Sequence, residues 1–524
     1  MKTRSISFGL VVCLSVACAG GCASSTKNSS ALDEAGVASP NYGDSGPTGS
    51  VSDSSAGAGG GTGEGGGAGE AGSSGGPVVC SSLGSDAWAS YAHDAQRTSA
   101  SGGCITGPLA STWRYAIPGE VATLRAGQCG NPTVLRGYNA IADATGAFVN
   151  FQESCSPSGG SGFLTHIDTA MTKKWASQNH DGSIGYWPTL AFGKVALVED
   201  GVFYRDPATG VVLSDGGSWD EWGDTLFDGS KLYFANTFQA DGPGIFLAAM
   251  DIQGCGSQCG TCDGGCNCPY PATCPKALWT QNAAFKCKNA EADALAALAF
   301  DQGTLFQAGR YGHLPGVQAP ADGLYARSIS GNGAQKWFVP TSQINSKISA
   351  GGGNVFLVEG STLVARSETD GTVSWPPVSL NQPGGQAPAL AAGLVVVSDA
   401  DGIAAFKAQT GQVAWHTTLS GAASVLGVRI GGVPTCLQGA SLPTAAGFDN
   451  TGAAGVATTI AIATGSGTVI VAAQSGIHVL RLADGTEVWS GVPKGASGRV
   501  RNPIVVGKRL YAVDDSGLIA MDSP

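Results

Sequence analysis

Along most of the chain, apolar and polar residues alternate with a period of two, in short runs broken by glycine. Leu394 to Asp399 and Thr468 to Ala473 are β-branched runs of this kind, each ending near a Gly turn. The run that follows, Gly402 to Lys407 in one case and Gly476 to Arg481 in the other, leads into Thr410-Gly411 or Asp484-Gly485 and then to Trp415 or Trp489. Alternation on both sides of a two-residue turn whose residues tolerate positive φ predicts a β-hairpin, not a helix. Gly aligns with Gly and Trp with Trp, so the two segments are copies of one unit.

The same unit recurs elsewhere with decay. Asn354 to Glu359 is followed by Asp370-Gly371 and Trp375, and Thr304 to Gly309 by Asn332-Gly333 and Trp337. Gly162 to Trp175 keeps the spacing, while Lys194 to Asp200 leads to Thr209-Gly210 with Trp219 arriving late. Lys231 to Phe234 and Gly244 to Trp279 form a copy interrupted by a Cys-rich insert at 255–274. An eighth copy is split: Lys508 to Asp522 stops before its Trp, and Ser111-Thr112-Trp113 supplies an orphan Trp strand near the other end. A ring that shares one blade between both termini leaves no exposed sheet edge. The expected fold is therefore an all-β, eight-bladed β-propeller over 79–524, closed by strands from both termini and preceded by a disordered tether.

The Thr-Gly-x-x-x-Trp core of Thr410-Gly411 to Trp415 resembles the repeat of pyrroloquinoline-quinone-type (PQQ-like) propellers, over about residues 85 to 524. That family holds quinoprotein dehydrogenases and the lipoprotein scaffold of the outer-membrane β-barrel assembly machinery. The resemblance implies that Trp113, Trp175, Trp279, Trp337, Trp375, Trp415 and Trp489 dock between blades as packing, not as substrate contacts. In quinone-dependent members it implies PQQ with a calcium ion held by a carboxylate and an amide, a Trp under the ring and an acidic base. Such members often cover the quinone with a disulfide between adjacent cysteines. This chain has neither a Cys-Cys pair nor a Cys-x-x-Cys-His haem site, so no cofactor is expected unless the dehydrogenase alternative holds.

The first residues change the picture. Lys2 and Arg4 precede an apolar run from Ile6 to Ala19, too short to span a bilayer and of the kind that directs export. Ala19-Gly20-Gly21-Cys22 resembles the lipobox of bacterial lipoproteins, which implies a signal peptide over 1–22, lipid on Cys22 and, with Ala23 following, sorting to the outer membrane. Cys18 is the rival acylation site. From 23 to 78 the chain is rich in Gly, Ser and Ala and nearly devoid of large apolar residues, a composition that buries too little surface to fold. Across the chain 28 basic residues face 39 acidic ones, a balance that disfavours nucleic acid; the expected partners are the membrane, through the lipid anchor, and envelope proteins or a small ligand.

Of the 15 cysteines, setting aside Cys13, Cys18 and Cys22 leaves an even set, which in an exported protein reads as disulfides. Cys80 with Cys104 would pin the N-terminal segment, and Cys129 with Cys155 would tie a blade to one rim. Cys255, Cys259, Cys262, Cys266, Cys268 and Cys274 would close among themselves in preference to holding zinc. Cys287 and Cys436 would then join only if the loop 421–455 reached across the funnel as a lid.

Candidate chemistry is sparse. Asp399-Ala-Asp401-Gly402 and Asp514-Asp515-Ser-Gly517 fall where hairpin turns demand Asp and Gly, so turn geometry explains them better than a metal does. None of His93, His166, His180, His313, His416 and His478 stands at metal-ligand spacing, and no nucleophile elbow or catalytic triad is visible. The expected function is a non-catalytic binding or scaffold platform of the cell envelope, on its extracytoplasmic side. The alternatives are a PQQ-dependent dehydrogenase of a small alcohol or sugar, and an assembly factor for outer-membrane barrels.

Overall fold

The computed structural model describes residues 78, 80, 87–109, 111–116, 135–153, 162–178, 187–198, 202–215, 223–236, 243–251, 276–284, 295–310, 321–381, 386–399, 402–419, 459–473, 475–496, 500–514 and 517–524. The signal, the tether, Trp219, the Cys-rich insert 255–274 and the loop 421–455 lie outside them, as do Cys22, Cys129, Cys155, Cys287 and Cys436.

Among the described residues eight sheets form the ring, seven antiparallel ones of four strands and one of five whose added strand is parallel. Blades 1 to 6 begin at Leu135, Thr189, Gly223, Leu295, Ser349 and Ala389, and blade 7 at Thr459. The first strands of neighbouring blades touch one another around most of the ring and so line the axis. Blade 8 consists of Arg501–Val506, Arg509–Val513, Gly517–Asp522 and, on its outer edge, the N-terminal strand Ser111–Ala116. That strand pairs antiparallel with the C-terminal one, Ser111 opposite Asp522 and Ala116 opposite Gly517, which is the closure the split repeat predicts. Arg114 strengthens the seam through two hydrogen bonds to Asp514, at 3.1 and 3.3 Å. Asp514 is fully buried, so its carboxylate serves the ring closure.

The repeat motif acts across blade boundaries. Trp175, Trp337, Trp375 and Trp415 each donate an indole N–H to a carbonyl of the following blade, that of Pro207, Glu368, Ala408 and Leu482. The turn glycine of that following blade lies flat against the ring: a Cβ on Gly210, Gly371, Gly411 or Gly485 would fall within 3 Å of the indole. Those glycines have φ near +70°, so the same position demands both a missing side chain and a left-handed backbone. The Gly and the Trp of the motif thus belong to different interlocking copies. Trp375 precedes its blade's short fourth strand, Val378–Ser379, and does not lie within it.

Trp113 departs from the expectation of blade packing. It is 54% exposed. In the next blade around the ring the notch position belongs to Met171, at φ 60°, not to a glycine. Its side chain packs against the neighbouring core.

Candidate functional site at the propeller axis

A propeller axis is lined by eight first strands, each with an unpaired inner edge whose N–H groups need partners. Here the chain supplies them itself. Between Trp88 and Thr106 it runs around the inside of the ring. Trp88 exchanges hydrogen bonds with Ala142 of blade 1, and the carbonyl of Ala89 accepts from Leu190 of blade 2. Carbonyls of Ala95, Gln96, Thr98 and Ser99 then accept from Phe300, Ala350, Leu390 and Ile462 of blades 4, 5, 6 and 7. Ala100–Ser101 adds a short parallel strand to blade 7, and Cys104 N–H reaches Gly507 of blade 8. The contacts fall near the turns between first and second strands, so this end of the axis is plugged.

Arg97 reaches the remaining blade. Its guanidinium is wholly buried and donates to the carbonyls of Leu298, Tyr91 and Thr225 and to Ser90 Oγ. It also pairs with Asp224 of blade 3 at 3.4 Å. Asp224 accepts in addition from Leu298 N–H at 3.0 Å and from Lys347 Nζ at 3.1 Å. Burial works against ionising this carboxyl, but Lys347 and Arg97 outweigh it and hold its pKa below the ordinary value. Burial pulls Lys347 down, with Asp224 opposing. The ammonium lies 4.0 Å from the Tyr91 ring centroid, a cation–π contact. Tyr91 in turn donates to Gln386 Oε1 and accepts from Ala387 N–H. The cluster is satisfied from within.

The plug's backbone is unusual. Ala92, His93, Arg97 and Ser99 all have φ between 53° and 78°, a region that costs a non-glycine residue about 1–2 kcal/mol. Such a path persists only where its surroundings over-determine it. The disulfide between Cys80 and Cys104, with Cα atoms 5.7 Å apart, fastens it as the sequence pairing predicts.

A pocket beside the plug is lined by Trp88, Tyr91, Ser99, Trp187, Gln386 and Asn502. Among the described residues its lining has no charged side chain. Among the described residues no three His, Cys, Asp or Glu side chains group as a metal site, and no helix is long and apolar enough to cross a membrane.

The histidines fall into different settings. His166 stacks on Phe148 with centroids 4.4 Å apart, and burial lowers its pKa. His93 packs edge-on to Trp88 within the plug, and His416 is exposed on its strand. His180 and His313 lie outside the described residues. His478 is different: it joins Ser475 and Glu487 in a hydrogen-bonded row.

Residues 276–524 match the family model described as outer membrane protein assembly factor BamB. Over those residues the repeat is similar to the PQQ-like repeat of that family. No curated protein matches. Among solved structures, quinohemoprotein alcohol dehydrogenase from Comamonas testosteroni superposes with a TM-score of 0.49 at 11% identity, over 83% of this chain and 80% of that one. BamB from Moraxella catarrhalis gives 0.42 at 14% identity, over 71% and 93%. The computationally designed Ika8 protein gives 0.48 at 11%, over 75% and 98%. At these identities the likeness is one of fold alone.

Proposed function

We propose that this PQQ-like propeller is a binding or scaffold platform of the cell envelope, anchored by lipid on Cys22, with its partners on the rims and not in a through-channel. The observation that carries this reading is the plug. A segment that hydrogen-bonds seven blades and reaches the remaining one through Arg97 makes the ring rigid and removes the axis as a passage. Rigid blades carrying long connections on their rims suit recognition of a macromolecular surface. The export pattern at Lys2 to Cys22 and the family match support an envelope location.

The described residues of the axial pocket do not favour the quinone alternative. PQQ carries several carboxylates, while among the described residues the pocket wall offers no basic side chain to receive them and no acidic one to hold calcium. Arg97 and Lys347 are engaged by Asp224 beneath it. A role in outer-membrane barrel assembly is favoured as the particular scaffold function by the family match over 276–524. Two measurements test the proposal. Purified protein incubated with PQQ and calcium should emerge from gel filtration without chromophore; stoichiometric retention would overturn the platform reading at the axis. Photo-crosslinkers on the rims should capture envelope proteins in cells, and barrel levels in a deletion strain test the assembly role.

A further inference from the structure

Blade 7 carries three polar side chains that its fold does not require. Ser475 stands at the turn between Thr468–Ala473 and Gly476–Arg481, His478 lies on the latter strand, and Glu487 opens the strand Glu487–Gly491. Ser475 Oγ is 2.6 Å from His478 Nε2, and His478 Nδ1 is 2.7 Å from Glu487 Oε2. Ser490 Oγ donates to the other carboxylate oxygen at 2.7 Å. Two other copies are apolar at the places of the histidine and the glutamate. Blade 6 has Ala404 and Val413 at the places of His478 and Glu487, and blade 5 has Val364 and Val373.

We propose that Ser475, His478 and Glu487 form a nucleophile, base and orienting carboxylate for acyl transfer from small carboxylic esters. The proposal goes beyond the platform reading and concerns a rim, not the axis. The order of partners fixes the proton positions. An ionised carboxylate only accepts, so Nδ1 carries the ring proton toward Glu487, and the lone pair on Nε2 faces the serine hydroxyl. Burial opposes ionisation of Glu487, but hydrogen bonds from His478 and Ser490 prevail and hold its carboxyl below the ordinary value. The imidazole is buried and the serine half-buried, so the base is shielded while the nucleophile reaches the surface. Ser475 Oγ would bond to the ester carbonyl carbon while its proton passes to Nε2. The carbon–alkoxide bond then breaks and Nε2 returns that proton to the leaving alcohol. Water, deprotonated by the same nitrogen, cleaves the acyl-serine to the free acid and restores the hydroxyl. Since Ser475 stands at a hairpin turn and not at the base of a deep pocket, short acyl groups are the expected substrates.

A fluorophosphonate probe should label native protein at Ser475, as read by peptide mass spectrometry, and not heat-denatured protein. Hydrolysis of p-nitrophenyl acetate should fall at least about 100-fold in Ser475→Ala and in Glu487→Gln. Both variants should melt within a few degrees of wild type. Absence of label on Ser475 in the native protein, or equal turnover by wild type and Ser475→Ala, overturns the proposal. Neither result depends on PQQ retention or on crosslinked partners.

Discussion

Trp415 of blade 6 lies on Gly485 of blade 7: its indole N–H donates to Leu482 O at 2.8 Å, and a Cβ on Gly485 would stand 2.5 Å from the ring. Gly485→Ala therefore adds a left-handed alanine, costing about 1–2 kcal/mol, to an overpacked contact costing about 1–3 kcal/mol. Gly393→Ala is the control, because Gly393 shares the left-handed φ but has nothing within 4 Å of the added Cβ. Urea unfolding should show the larger loss at Gly485. Equal losses at both sites would refute interlocking as the role of the motif.

Trp415→Ala leaves that Gly uncovered and opens a cavity at the blade boundary, with an expected loss of about 3–5 kcal/mol. Trp113→Ala should cost far less, since Trp113 is 54% exposed. Parallel melting curves check the contrast.

These two residues also show what the sequence could and could not convey. The hairpins, the number of blades and the shared eighth blade were legible because each follows from local alternation and turn residues repeated many times. The exposure of Trp113 was not legible, because it depends on the neighbouring blade, whose turn has Met171 where other blades have Gly210, Gly371, Gly411 and Gly485. The plug was invisible for a different reason. Residues 88–106 have no period of two, and their hydrogen bonds go to strands from Ala142 to Gly507. The row of Ser475, His478 and Glu487 depends on strand register, which pairs Glu487 with Leu480, two residues along the strand from His478 and so diagonal to it across the hairpin.

Asp224 holds two buried cations, Arg97 and Lys347. Asp224→Ala leaves both without their carboxylate, and breaking a buried pair on one side costs about 3–5 kcal/mol. Calorimetry should register the loss. If Asp224→Ala unfolds like wild type, the axial cluster contributes nothing to plug seating.

Reduction of Cys80–Cys104 frees the plug from the tether side. For a loop of this length, cross-linking stabilises by about 3 kcal/mol, so Cys104→Ala should lower the melting temperature. Native hydrogen exchange should show the gain in amide exchange first at Ala100 and Ser101, which pair with the inner strand of blade 7. Uniform exchange across all blades would argue against a separately seated plug.

Glu368 lies at the boundary of blades 4 and 5, where its carbonyl receives the Trp337 N–H. Burial, and the neighbouring Asp301 carboxylate, push its carboxyl up from 4.5 to about 7. The folded state therefore favours the protonated form. The stability this group contributes is complete below its unfolded value of 4.5 and is lost as pH rises through about 7. Melting temperature should accordingly decline between pH 5 and pH 8 more steeply in wild type than in Glu368→Gln, which carries no charge to expel at any pH. Identical slopes for the two proteins would show that the carboxyl ionises in the native seam without penalty, and the boundary would then have to admit water where the structure buries the side chain.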